Sequence, residues 1–376
     1  MSSIYIHIPY CKQRCTYCNF YFQISQTNKI KLLKSIQQEL IERKNYLKGE
    51  KITSIYFGGG TPSILMADEI KAIINSIYNV YVVKNDAEIT IECNPDDITK
   101  TKLLSFEKMG VNRLSIGVQS FDDDDLKFMN RSHNAKSAIK SIKTAKKCGF
   151  KNITIDLIYG LPEQTLEKWE KNLNIMFSLG IQHFSAYSLT IEENTVLYHL
   201  IKNKKINLMS DKKILDQFNL LQLKARENEF IHYEISNFGK KSYFSRHNTG
   251  YWKNNHYLGV GPSAHSYNGK IRRWNVSSNE KYILNINTKT CYFEQEKLNL
   301  YQQYNEYILT SLRTMWGINQ SLINERYGTK ITSHFLKEIK KWEVKKYISV
   351  NIPNYTLTSK GKVFVDRISS DLFIVT

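Results

Sequence analysis

Short runs rich in Ile, Val, Tyr and Phe alternate with longer segments of helical period through the first half of the chain, and this alternation leaves few folds open. Strands separated by helices pair in parallel, and a parallel sheet must be covered by those helices. Six strands are predicted, over 4–8, 54–57, 88–93, 113–118, 152–158 and 183–189. Between the first two, Leu33, Ile36, Leu40 and Leu47 share one helical face. Further helices are expected over 67–78, 99–108, 135–147 and 165–178, and Gly110, Gly149 and Gly180 stand just past three of them, where a helix stop is expected. Six β/α units of this kind predict an α/β fold, a partial (β/α)6 barrel.

In such a fold the site is built by the loops that follow the strands, and the distinctive polar residues fall there. Cys11, Cys15 and Cys18, spaced C-x3-C-x2-C, follow strand one, Gly58-Gly59-Gly60-Thr61-Pro62 follows strand two, Glu92 closes strand three, Gln119 follows strand four and Asp156 lies in strand five. Three thiolates from one short loop suit one metal centre. A cubane iron-sulfur cluster takes a thiolate on each iron, so three cysteines leave one iron open. The alternative is zinc with His7 as fourth ligand, but the distant second cysteine pair of an ordinary zinc site is missing. Cys93, Cys148 and Cys291 are scattered singly and read as small buried or neutral residues. The triple glycine lets backbone approach a ligand closely, though alone it is an ordinary tight turn. Glu92 is a carboxylate suited to accept hydrogen bonds from ribose hydroxyls.

At 376 residues the chain can bury a large core and a smaller second one. No apolar run reaches membrane-span length and no secretory signal is visible, so a cytoplasmic protein is expected, where thiols stay reduced and clustered cysteines favour metal. The net charge of +18 is mostly lysine on exposed helix faces, such as Lys136, Lys140, Lys143, Lys146 and Lys147. No aromatic-and-basic recognition motif accompanies it, so nucleic-acid binding is not expected. Weak attraction to an anionic membrane surface, or to an anionic ligand, stays open.

Three regions are expected: a core over 1–235, a segment over 236–284 rich in Tyr, Trp, His, Asn and Gly, and a module over 285–376. The middle segment lacks clear periodicity and reads as an ordered functional loop, because aromatic-rich sequence is not linker-like. The last region is helical, with Leu300, Tyr304, Tyr307, Ile308 and Leu312 on one face, helices near 319–327 and 333–346, a β pair about 348–352 and 355–358, and a final helix over 359–369. That order suggests a winged-helix-like module.

The cysteine spacing resembles that of the radical SAM superfamily. Tyr-x-His-Ile-Pro-Tyr-Cys, Gly-Gly-Gly-Thr-Pro, Glu-Cys-Asn-Pro, Gly-Val-Gln-Ser and Asp-Leu-Ile-Tyr-Gly-Leu-Pro, in this order, resemble the branch that holds oxygen-independent coproporphyrinogen III oxidase and the HemW heme chaperones. The resemblance covers nearly the whole chain. It implies a 4Fe-4S cluster on Cys11, Cys15 and Cys18 whose open iron chelates S-adenosylmethionine (SAM). It also implies SAM contacts from Gly59, Gly60, Thr61, Glu92, Gln119, Arg131 and Asp156, with Tyr5 and Tyr17 packed on cluster or adenine.

Two features separate the relatives. The oxidase carries another cysteine two residues after the third cluster cysteine, and an extension before the cluster. Here that position is Phe20 and ten residues precede Cys11, so coproporphyrinogen dehydrogenase activity is not expected. His247-Asn248-Thr249-Gly250-Tyr251-Trp252 matches the H-N-x-x-Y-W motif linked to heme in the chaperones. The resemblance therefore implies heme contact by His247, Tyr251 and Trp252, with His256 and His265 as weaker alternatives for the iron ligand. It implies a heme chaperone that delivers to an acceptor hemoprotein, for instance of the respiratory chain, and it allows a homodimer. The alternative is an enzyme of porphyrin biosynthesis that cleaves SAM reductively to oxidise coproporphyrinogen.

Overall fold

The computed structural model describes residues 2–375. Its first half follows the predicted alternation. Strands β1 (Ser2–Ile8), β2 (Ile52–Gly59), β3 (Val83–Cys93), β4 (Arg113–Gln119), β5 (Asn152–Tyr159) and β6 (His183–Ser188) pair in parallel and in sequence order. Helices α1 (Lys29–Glu42), α2 (Ala67–Val80), α3 (Lys100–Lys108), α4 (Asp123–Phe128), α5 (Ala135–Lys147) and α6 (Leu166–Ser178) connect them. Side chains cap several of these helices at their first turn: Thr99 accepts from the Lys102 amide, Thr165 from Lys168, and Asn134 with Ser137 forms a capping box.

The six strands are not uniformly apolar. Ile4, Ile6, Ile55, Phe57, Ile89, Ile91, Leu114, Ile116, Ile153, Ile155 and Phe184 point outward into the main core with the helices. Each fully buried side chain of this size contributes about 2 kcal/mol. The alternate positions are Tyr5, His7, Ser54, Tyr56, Glu88, Thr90, Glu92, Arg113, Ser115, Thr154, Asp156, His183 and Ser185, and they form a polar inner wall. A packed parallel sheet usually has apolar residues on both faces. Here one face is buried and polar.

Beyond β6 come α7 (Val196–Lys202), α8 (Asp211–Glu227) and the antiparallel strands β7 (Ile231–Glu234) and β8 (Asn237–Gly239), which close one edge of the sheet in the order β6-β8-β7. The segment 236–284, expected as an ordered loop, instead contains much regular structure. It holds α9 (Arg246–Trp252), β9 (Tyr257–Val260), β10 (His265–Tyr267), β11 (Ile271–Asn275) and the start of α10 (Asn279–Thr288). Strand β9 pairs in parallel with β1, and β10, β11 and β12 (Phe293–Lys297) continue antiparallel, so a single sheet of twelve strands results. Periodicity is weak there because the strands are three to five residues long.

The final module has its own core of Tyr304, Ile308, Leu312, Phe335, Ile339, Tyr355, Ile368 and Leu372. It is built from α11 (Leu300–Leu312), the two-residue strand β13 (Ile318–Asn319), α12 (Gln320–Tyr327), α13 (Thr329–Val344), the hairpin β14 (Ile348–Asn351) and β15 (Asn354–Leu357), and α14 (Val365–Leu372). The predicted last helix starts later than expected, after a 3-10 turn over Gly361–Phe364. The module leans on the barrel through Ile235 N–H to the Arg313 carbonyl (3.1 Å), Met315 N–H to the Tyr233 carbonyl (2.9 Å) and the Arg272–Glu306 ion pair (2.6 Å). No helix among the described residues is long and apolar enough to cross a membrane.

Candidate cluster and cofactor site

The cysteine loop leaves β1 at its C-terminal end, and the glycine turn of β2 holds it there. Gly60 N–H donates to the Ile8 carbonyl (2.9 Å) and Thr61 N–H to the Tyr10 carbonyl (2.7 Å). Gly59 N–H faces the Glu92 carboxylate. The amides at 59, 60 and 61 are thus spent inside the protein, and the need for glycine is a different one from open approach to a ligand. A Cβ on Gly60 would lie 2.6 Å from the Tyr10 carbonyl oxygen and 2.8 Å from its nitrogen. Gly60→Ala is therefore expected to push the loop off β2, costing about 1–3 kcal/mol and lowering the iron and sulfide bound per chain after anaerobic reconstitution. Iron content equal to the parent's would contradict this role.

Cys11, Cys15 and Cys18 are all unpaired and half-buried. Thr61 Oγ1 donates to Cys11 Sγ at 3.5 Å, and Arg131 Nη1 donates to Cys15 Sγ at 3.3 Å. Burial pushes the Cys11 thiol up to about 11 and raises Cys18 as well, while Arg131 pulls both down. Thiols of this kind ionise when a metal displaces their protons. His7 does not join them: its Nδ1 faces the Tyr5 hydroxyl (3.3 Å) and its Nε2 the Tyr21 carbonyl (3.1 Å). Among the described residues no three His, Cys, Asp or Glu side chains gather about a point that would hold a single ion. A four-iron cube, with a separate iron for each thiolate, does not need them to. The donor set fits the cluster and not a zinc ion.

Arg131 spans three elements. Its Nη2 donates to Asn94 Oδ1 (2.7 Å) after β3 and to the Gly117 carbonyl (2.7 Å) of β4, while its buried Nε has no partner. Expected as a SAM contact, it also touches the cysteine loop at Cys15, and its charge pulls Cys11 and Cys18 toward thiolate. Tyr17 lies beside Cys15 and Arg131, over the small cluster of Leu126, Met129, Ile158 and Leu161.

Glu92, Asp156 and Gln119 line the inner wall next to this loop. Glu92 accepts from Tyr56 Oη (2.8 Å), and burial followed by repulsion from Asp156 raises its carboxyl to about 7. Asp156 accepts from Ser115 Oγ (3.1 Å) and is raised by burial. Gln119 has φ of 68° at a register shift between β4 and β5, and no hydrogen bond engages its side-chain amide among the described residues. A strained turn of this kind re-aims a side chain. An unspent amide and two buried carboxylates, both raised above their ordinary range, make a wall able to bind hydroxyl and amino groups.

The H-N-x-x-Y-W motif is in α9, and it forms the floor of the barrel. Both amides at the start of α9, those of Arg246 and His247, donate to the Glu88 carboxylate at 3.1 Å. His247 is 1% exposed. Its Nδ1 pairs with Ser54 Oγ (3.0 Å), its Nε2 with Tyr251 Oη (2.8 Å), and its ring stacks on Tyr56 at 4.8 Å. Burial holds its pKa down to about 3, so it is neutral. In this arrangement neither nitrogen is open to iron. Tyr251 stands edge-on to Tyr257 (4.6 Å), and Trp252 is half-buried. Of the weaker alternatives, His256 is tied to Glu50 (2.7 Å) and His265 is exposed.

Sequence reasoning missed Tyr56, Glu88, Arg113, Thr154, His183 and Tyr233. They continue the floor: Arg113 contacts Glu88 (3.9 Å) and Thr154 Oγ1, Thr154 meets His183 Nδ1 (3.0 Å), and His183 Nε2 meets Tyr233 Oη (2.8 Å). The readable signal was a polar residue at every second strand position.

The model of the Radical SAM superfamily matches residues 5–176, which hold the cysteine loop, the glycine turn and the Glu92, Gln119 and Asp156 strand ends. A protein of Bacillus subtilis named heme chaperone HemW is 34% identical over 98% of both chains. The chain belongs to the HemW family. A second HemW heme chaperone, from Lactococcus lactis, is 33% identical over 89% of this chain and 86% of its own. Coproporphyrinogen III oxidase of Escherichia coli, a radical SAM enzyme, superposes with a TM-score of 0.85 over 99% of this chain and 90% of its own at 22% identity, and so shares the fold. The superfamily's cofactors are a 4Fe-4S cluster and SAM. When bound, the cluster supplies an electron and an open iron for SAM's amino and carboxylate groups. In this HemW-family chain Cys11, Cys15 and Cys18 would hold it, Arg131 would balance its charge, and Glu92, Asp156 and Gln119 would orient the ligand's polar groups.

Proposed function

We propose that this chain is a cytoplasmic heme chaperone that binds heme and passes it to an acceptor hemoprotein, with the cluster and SAM supporting the transfer. The supporting observation is the seat of the H-N-x-x-Y-W helix. His247 stacks on Tyr56, and Tyr56 holds Glu92. A change at the SAM wall is therefore felt by α9 through two side chains. In this reading residues 1–235 carry cluster and SAM, 236–284 carry the heme site, and the winged-helix-like module of 285–376 meets the acceptor. His247, Tyr251 and Trp252 contribute by shaping and supporting the heme site, because the His247 nitrogens are already bonded. An acceptor in the respiratory chain would place the protein at an anionic membrane surface, in keeping with its charge of +18. A homodimer formed on loading belongs to the same proposal.

Anaerobic titration of the cluster-reconstituted protein with heme, followed in the Soret region, tests it. Saturable, stoichiometric binding is expected. Lack of binding together with anaerobic formation of protoporphyrinogen from coproporphyrinogen, given SAM and an electron donor, would replace the chaperone with the oxidase. Phe20 speaks against that outcome, since it puts an exposed ring where the oxidase carries a cysteine.

A further inference from the structure

A helix leaves its last carbonyls without partners inside the helix, and groups from outside must take them. At the end of α4 the cysteine loop takes them. The helix stops with Asn130 in the left-handed region, at φ of 53°, while Asn130 N–H donates to the Lys127 carbonyl (3.0 Å) and Arg131 N–H to that of Leu126 (2.9 Å). This is the Schellman stop, with asparagine where glycine is commoner. The next three carbonyls are then turned to the cysteine loop. Phe128 accepts from Thr16 Oγ1 (3.2 Å), Met129 from the Thr16 amide (3.1 Å) and Asn130 from Gln13 Nε2 (2.7 Å). In the other direction Asn130 Nδ2 donates to the Arg14 carbonyl (2.7 Å).

All of these bonds reach residues that stand between the cysteines. Gln13 and Arg14 lie between Cys11 and Cys15, and Thr16 lies between Cys15 and Cys18. The loop is thereby held at its other positions, and none of these bonds uses a thiol. Lys12 adds an ion pair to Asp96 (2.8 Å) and Asp97 after β3. The end of α4 is itself firmly seated. Leu126 and Met129 are buried with Ile158 and Leu161, and the buried Asp125 accepts from Ser120 Oγ (2.8 Å) and Gln164 Nε2 (3.0 Å). Ordering a chain segment costs conformational entropy, and a loop already held in shape binds its metal without that cost. A glycine at 130 would stop α4 equally well. The side-chain amide, which the stop does not need, is the part that reaches the loop.

We infer that the end of α4 is the mould on which the cysteine loop takes its cluster-binding shape, and that Asn130 is a positioning residue for the cluster. This rests on the reading of Cys11, Cys15 and Cys18 as the cluster ligands. Asn130 acts through Gln13 and Arg14, and so on the stretch of chain that sets Cys11 apart from Cys15. It is exposed, so replacing it disturbs no core. Loss of its amide therefore loosens the cluster and leaves the fold in place.

The test is anaerobic cluster reconstitution of the full chain, followed by the rate of iron release to a chelator and by EPR of the dithionite-reduced cluster. Three variants stand beside the parent. Asn130→Gly keeps the left-handed turn and removes the amide, whereas Asn130→Asp keeps size and turn and sets an oxygen against the Arg14 carbonyl. Asn134→Ala removes the capping residue of α5, four positions along, which has no hydrogen bond to the cysteine loop among the described residues. Iron release is expected to be about tenfold faster in Asn130→Asp, the usual effect of losing a group that orients a metal ligand. Asn130→Gly should fall between it and the parent, both should broaden the EPR signal, and both should keep the parent's circular dichroism. Asn134→Ala should melt at a lower temperature yet release iron and give EPR as the parent does. Parent-like release and EPR in both Asn130 variants would overturn the mould. Release as fast in Asn134→Ala as in Asn130→Asp would overturn it too, since the effect would then follow stability alone. A parent that takes up no cluster would overturn the ligand reading of the three cysteines, and this inference with it.

Discussion

Arg113→Leu is expected to lower the stability of the protein by about 3–5 kcal/mol, the cost of leaving a buried charge without its partner. Arg113 is 1% exposed, and Glu88, 3.9 Å away, is 5% exposed. Glu88 also receives the two first amides of α9, so it is already the anchor of that helix. With Arg113 gone, Glu88 keeps the two α9 amides but loses its opposing charge, and Thr154, which also contacts His183, loses a donor. The effect should reach the cofactor wall, because α9 carries His247 under Tyr56. Urea denaturation measures the loss. The double variant Arg113→Leu, Glu88→Gln should recover part of it, since the unpaired charge is then absent. A single-variant loss below about 1 kcal/mol, the range of an exposed pair, would mean that the floor is hydrated and not a closed network.

The second large effect is on pH. His7, His133, His183 and His247 are all buried, and burial is the first cause that lowers their pKa: to about 4 for His7 and His133, to about 3 for His247, and well below the ordinary value for His183. The unfolded chain takes protons on these groups below pH of about 6.5, whereas the folded chain does not until far lower. Each therefore removes about 1.4 kcal/mol of stability per pH unit as pH falls from about 6.5 toward 4. Glu92 acts the other way. Its carboxyl, raised to about 7, holds a proton in the folded state that the unfolded chain has released, so it gains stability as pH falls through that window. His232, lowered by burial to about 3, adds to these histidines, and Asp125, Asp156, Glu234 and Glu306, all raised by burial, act with Glu92, so the net loss is on the order of a few kcal/mol between pH 7 and 5, against a total of about 5–15 kcal/mol for a domain. The cluster-free protein is expected to have a lower urea midpoint at pH 5.5 than at pH 7, followed by tryptophan fluorescence and circular dichroism. Equal urea midpoints at pH 7 and pH 5.5 would contradict it.

The six parallel strands and the helices between them were legible because each covers enough residues to show its period. The outward face of β2, Ile55 and Phe57, and the inward face of α1, Leu33, Ile36 and Leu40, are both buried in the main core. The glycines at 110, 149 and 180 do have positive φ of 87°, 91° and 61°, as helix stops require. Helix α8 was overlooked although Phe218, Leu221 and Ala225 are buried along its face, because the preceding lysine-rich stretch hid its start. Strands β9 to β12 were read as a loop since none exceeds five residues, and edge strands this short acquire their identity from the neighbour they pair with.

The sequence alone determined the chemistry of the rim: three cysteines in one loop, a glycine turn beside them and a carboxylate at the end of β3. Those are matters of local spacing and of residue type, and both are written in the order of the chain. Tertiary structure decided what each group is free to do. It spent the amides of Gly59, Gly60 and Thr61 on Glu92, Ile8 and Tyr10, and put Arg131 on Cys15. It closed both nitrogens of His247 against Ser54 and Tyr251, and gave those of His265 no hydrogen-bond partner among the described residues. A histidine's availability depends on which groups from distant strands reach its ring. Ser54 is 193 positions from His247, and no local pattern carries contacts of that range.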